Sequence, residues 1–103
     1  MSYLQPLQNI EFHDADVIAL QFTFEPNTLT LVFGCEEQEF KVVFSDISDL
    51  IFDCHHAIND LEINAATFTD EDGNYAAEYI FLLGVALPSA ALTFKFKAFE
   101  FDV

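Results

Sequence analysis

The chain has no arginine, no tryptophan, and only three lysines, three glycines and three prolines. Without arginine it lacks the planar fork that grips phosphates and base edges in pairs. Three lysines against eighteen acidic residues leave a formal net charge of −15, which repels nucleic-acid backbones and anionic lipid alike. Nucleic-acid and membrane-surface partners are therefore excluded. So few glycines also leave no room for a phosphate-cradling loop, a nucleophile elbow or a dinucleotide fingerprint. No apolar run reaches the length of a membrane span, and the opening MSYLQPLQNIEF lacks the basic start and apolar block of a signal peptide. The expectation is a cytoplasmic protein whose cysteines, Cys35 and Cys54, stay reduced.

What is present is apolar and aromatic. Of 103 residues 52% are hydrophobic, thirteen of them Phe, enough for one packed domain and too few residues for a second core. The domain is expected to cover 1–103, with 1–11 as a lead-in broken by Pro6. From Phe12 to Phe24 apolar residues recur at every second place, Ile18, Leu20, Phe22 and Phe24, the period of a half-buried strand. Glu25-Pro26-Asn27-Thr28 reads as a turn. Alternation returns over Leu29–Phe33 and Glu39–Phe44, with Phe40, Val42 and Phe44 inward. Short connections between the three make an antiparallel meander.

The Ser/Asp-rich stretch Ser45–Leu50 predicts a loop or one helical turn, followed by a short strand over Ile51–His56. A further strand alternates through Leu61, Ile63 and Ala65, up to the Asp-Gly hairpin signal in Asp70–Asn74. Tyr79–Leu87 is apolar on both faces, Pro88-Ser89 turns the chain, and Leu92–Phe101 forms the last strand, whose phase slips beyond Ala98. No segment of helical period has useful length. The fold class is all-β, an antiparallel β-sandwich of six to seven strands in meander and hairpin order. The doubly apolar Tyr79–Leu87 strand also suggests a homodimer formed through it.

The order of short motifs Phe12-His13-Asp14-Ala15, Phe44-Ser45-Asp46-Ile47, Ile58-Asn59-Asp60-Leu61 and Gly73-Asn74-Tyr75 resembles a group of small bacterial β-sandwich proteins. Some members of that group are immunity proteins of toxin systems. The resemblance implies a protein that blocks a toxin by binding it and performs no chemistry. It carries over no catalytic residues.

Three stretches invite chemistry. His13-Asp14 has the form of a base with an orienting carboxylate, but no third group completes a reaction template, and backbone capping at a strand entrance is the favoured reading. Cys54-His55-His56 holds soft ligands. Adjacent strand residues point to opposite faces, however, so His55 and His56 do not grip one ion. Asp70-Glu71-Asp72-Gly73-Asn74 resembles part of a calcium loop, yet its glycine and terminal acid fall at the wrong places. No catalytic, cofactor or metal residue is therefore expected, and the reading is a non-enzymatic acidic protein for a basic partner. Its predicted contacts are the acidic turns, Glu36, Glu37 and Glu39 in one and Asp70, Glu71 and Asp72 in the other. The alternatives are a small-molecule or metal-binding domain using His13, Asp14, Cys54 and His56, or a homo-oligomeric structural subunit.

Overall fold

A computed structural model describes residues 3–35, 37–54, 61–83 and 88–102. After a short helix α1 (Gln5–Gln8) come eight strands: β1 (Ala15–Thr23), β2 (Thr28–Cys35), β3 (Gln38–Ser45), β4 (Ser48–Cys54), β5 (Leu61–Glu71), β6 (Asn74–Leu83), β7 (Pro88–Phe96) and β8 (Ala98–Asp102). All pairings are antiparallel, and all eight strands belong to one sheet in the order β4-β7-β6-β5-β1-β2-β3-β8. The all-β antiparallel class is as expected. The hydrogen bonding is continuous, with eight strands where six to seven were predicted.

The difference in number comes from two bends. Ser45 pairs with Ala98 and Ser48 with Lys95, so the ladder crosses from β3–β8 to β4–β7 without losing register. The chain breaks at Asp46-Ile47 on one side and at Lys97 on the other, where the Lys97 amide donates to the Ser45 carbonyl at 3.0 Å. This bent ribbon folds the sheet into two halves, β8-β3-β2-β1 and β4-β7-β6-β5, whose apolar faces meet. The ring of Phe44 on β3 lies 4.9 Å from those of Phe94 and Phe96 on β7. The phase slip beyond Ala98 is this bend, and it sets Phe99 opposite Phe44 and Phe101 opposite Val42.

At the opposite corner the halves are joined by only two residue pairs, Ala15 with Ile63 and Asp16 with Glu62. Both strands bulge just beyond that joint, β1 at Ile18 and β5 at Asn64. An extra residue bends a strand and raises its twist, so the two strands diverge there. The bulges also correct two predicted faces. Past Ile18 the residues opposite buried Leu31 and Leu29 are Leu20 and Phe22, while Ile18 itself is exposed and Phe24 lies beyond the strand in solvent. Past Asn64 the inward residues are Ala66 and Phe68, and Ala65 faces out.

The predicted lead-in is an ordered plug. Pro6 is the second residue of α1, in the first turn, where its missing amide hydrogen is no loss. Leu4, Leu7 and Phe12 are buried, with the Phe12 ring packed against Phe33, Phe68 and Tyr79. Ser48–Leu50, predicted as loop or helical turn, belongs to β4. Pro88, predicted as a turn, opens β7, the place in a strand where proline is tolerated. The Asp72-Gly73 hairpin is as predicted, with φ of 54° and 86° between paired Glu71 and Asn74. β6 lies between β5 and β7, so both its edges are occupied, and a two-fold contact through it is left only the outer face of Ile80 and Leu82. Residues 84–87 of that predicted strand, and His55 to Asp60, lie outside the described residues.

Candidate interaction surface

The two predicted acidic turns sit on separate hairpins, one in each half of the sheet. At the β2–β3 turn Glu37 (φ 68°) and Glu39 are exposed, and Glu36 lies outside the described residues. At the β5–β6 turn Asp70, Glu71 and Asp72 are all exposed. The Asp70 carboxylate accepts from the Gly73 amide at 3.3 Å, and Glu71 stands 4.0 Å from the Lys95 ammonium. Lys95 also meets Asp49 at 3.5 Å, so one lysine is shared between two carboxylates.

His13 and Asp14 lie at the two-pair joint between the halves. The His13 ring donates from Nδ1 to the Asn64 carbonyl at 2.9 Å, and its Nε2 is 3.5 Å from the Asp14 carboxylate. The bond to Asn64, then the Asp14 charge, raise the imidazole pKa above its ordinary value. Asp14 adopts φ 68° and donates its amide to the Ile63 carbonyl. Glu62 has its pKa raised by a hydrogen bond with the Asp14 carboxyl, then by desolvation and by the charges of Asp14 and Asp16. This cluster is solvent-exposed and bonds backbone at the β5 bulge, which is the capping role read from the sequence. Cys54 is half-buried at the end of β4. Among the described residues no three His, Cys, Asp or Glu side chains are placed to hold a metal ion.

A different feature dominates the surface. Beyond the joint, β1 diverges from β5 and runs beside β4, leaving an open seam. One part of this seam is a groove of about 430 Å³ lined by Val17, Leu20, Phe22, Phe52 and Leu61. A second part, of about 440 Å³, shares Phe22 and continues along Phe24, Ile47 and Leu50. Its far end is tied shut, because Asn27 donates from Nδ2 to the Ile47 carbonyl at 2.7 Å and accepts from the Asp46 amide at 3.0 Å. Ile18 (53% exposed), Phe22 (42%) and Phe24 (91%) line the seam. A cluster of large apolar side chains held in water on one side of a small domain makes this seam the candidate interaction surface. Sequence reasoning placed Ile18, Phe22 and Phe24 in the core. The one available signal was Phe24, which stands against Glu25-Pro26, outside any strand that could cover it.

No helix among the described residues is long and apolar enough to cross a membrane. Neither a protein-family model nor a curated protein matches the sequence.

Proposed function

We propose that this is a non-enzymatic interaction protein that binds a basic protein partner, with the open seam as its apolar contact and the surrounding acidity as the steering field. The observation that carries this reading is the exposure of Ile18, Phe22 and Phe24 along one groove of a protein of net charge −15. Charge of this size accelerates encounter with a cationic protein, and desolvated apolar contacts then hold the complex. Neutralisation of a basic toxin is the specific form that the motif resemblance suggests, in the cytosol.

Capture from native lysate at low and then physiological salt tests the reading, with the Ile18→Ser/Phe24→Ser variant alongside. One basic partner should be retained in stoichiometric amount and lost by the variant. Reversing the charges of Glu37, Glu39, Asp70, Glu71 and Asp72 should slow its association. A lysate that supplies no basic partner at either salt would overturn the proposal.

A further inference from the structure

Strand edges exposed to water normally carry charges, proline or bulges that stop other strands from pairing with them. The free edges of this sheet follow that rule with one exception. β8 is five residues long and includes Glu100 and Asp102. β4 has a register shift between Ser48 and Ile51 and includes Asp49 and Asp53. On β1, by contrast, Ala19 to Thr23 pair with Val32 to Thr28 in unbroken register, and these five residues (Ala, Leu, Gln, Phe, Thr) include no charge and no proline. Among the described residues no strand pairs with their other edge, since the pairing with β5 ends at Asp16.

The other seam shows how this fold closes such a gap. Beside β5, past its bulge, the chain's own N-terminal segment is laid along the strand. It bonds through the Asp14 amide to the Ile63 carbonyl at 2.9 Å, and through the Gln8 amide group to the Phe68 carbonyl at 3.3 Å. It lodges Leu4, Leu7 and Phe12 in the core. A chain segment with apolar anchors is thus a shape this sheet accepts.

Resting on the proposed function, we infer that the Ala19–Thr23 edge of β1 receives an extended segment of the basic partner by strand addition. Alternate apolar side chains of the segment enter the groove beside Phe22 and Phe52, which the period of a strand allows. Its intervening lysines or arginines meet Asp16 and Glu25, which flank the edge in sequence, and Asp49, which lines the groove. A second copy of this chain is the wrong occupant, since it brings its own charge of −15 to the contact.

The probe is a capped eight-residue peptide alternating valine and lysine, titrated at low salt into the isotope-labelled full chain. Two further peptides serve as comparison: the same sequence N-methylated at every residue, which keeps side chains and charge but donates no backbone hydrogen bond, and a valine–glutamate version. Strand addition predicts binding of the first peptide, slower amide exchange confined to Ala19–Thr23, roughly tenfold weaker binding of the methylated peptide, and none of the acidic one. Equal binding of the methylated peptide overturns the inference, as does the absence of binding by any peptide. Shifts confined to Glu37–Glu39 and Asp70–Asp72 also overturn it, while leaving the basic-partner reading, judged by the lysate capture, intact. Concentration-dependent protection of Ala19–Thr23 in the free protein, with a dimer in sedimentation, assigns the edge to a second copy and overturns it too.

Discussion

Along β5, from the joint toward β8, the N-terminal segment inserts Leu4, Leu7 and Phe12 and the sheet is sealed. Along β1, from the same joint toward β4, Phe22, Ile18 and Phe24 stand in water beside a groove that no described strand fills. The two seams share one cause, since a bulge on each strand past the Ala15–Ile63 pair splits the halves apart. They differ only in what the chain supplies to fill them. A seam filled in cis adds to the core. A seam left open adds little to the isolated fold and leaves its apolar side chains in water. The tie at the N-terminus makes the same point, because Tyr3 stacks on Tyr75, packs at a tilt against Phe99, and its hydroxyl accepts from the Phe99 amide at 3.1 Å. That segment is anchored at both ends.

The most damaging way to break the comparison is to empty the filled seam. Phe12→Ala removes a ring that touches Phe33, Phe68 and Tyr79, and should cost about 3–5 kcal/mol in urea unfolding. A loss below about 1 kcal/mol would mean the plug is only draped on the sheet. A smaller change of opposite sign is expected behind the plug. The Tyr79 hydroxyl is fully buried with no hydrogen-bond partner among the described residues, and burial pushes its pKa well above the ordinary phenol value. Tyr79→Phe removes an orphaned polar group, so unfolding free energy should be unchanged or rise by about 1 kcal/mol. A clear loss of stability would reveal that the hydroxyl is satisfied in solution.

Smaller still is the expected stability effect at the open seam. Phe24→Ser and Ile18→Ser each change an exposed side chain and should shift unfolding by no more than about 0.5 kcal/mol. Partner binding should fall sharply in the same variants. If either loses as much stability as Phe12→Ala, the groove is closed in solution and the two seams are alike.

Much of this architecture was legible in the sequence wherever the period of two runs unbroken. Leu29, Leu31 and Phe33 on β2, Phe40, Val42 and Phe44 on β3, and Leu92, Phe94 and Phe96 on β7 face inward as the alternation says, though Phe40 is only half-buried. The Asp72-Gly73 turn was equally plain, because two consecutive positive φ angles demand such residues. The bulges were hidden. Apolar residues continue through Ile18, Leu20, Phe22 and Phe24, so nothing in that run records that Val17 takes the inward place and Ile18 is ejected. The plug was hidden because a four-residue helix is too short to show a period. The open seam was hidden for a deeper reason. An apolar residue on a strand reads as core, and whether anything covers it depends on where a distant strand edge passes. The charge that suggests a basic partner was visible from composition alone, but it spreads over the chain and selects no surface.

The smallest expected effect lies at the joint where the two seams part. There Glu62, opposite Asp16 and bonded to Asp14, binds its proton more tightly in the folded chain than in the unfolded one, and so does His13. A raised folded-state pKa gives stability that is complete below the unfolded value and is lost as pH rises through the folded value. The Glu62 contribution is therefore full below pH 4.5 and the His13 contribution full below pH 6.5, each being lost as pH rises through its own higher folded value. Glu62→Gln imitates the protonated acid: it keeps a hydrogen bond to Asp14 and deletes a charge that repels Asp14 and Asp16. The variant should melt slightly higher than the natural protein at pH 7 and equal to it at pH 4, as read by thermal unfolding at both values. Since all of these groups are solvent-exposed, the gain should also shrink in high salt. An equal gain at both pH values would assign the effect to something other than the carboxylate charge. A loss at pH 7 would mean that the ionised Glu62 holds the joint together, with the protonated His13 ring beside it as its counter-charge.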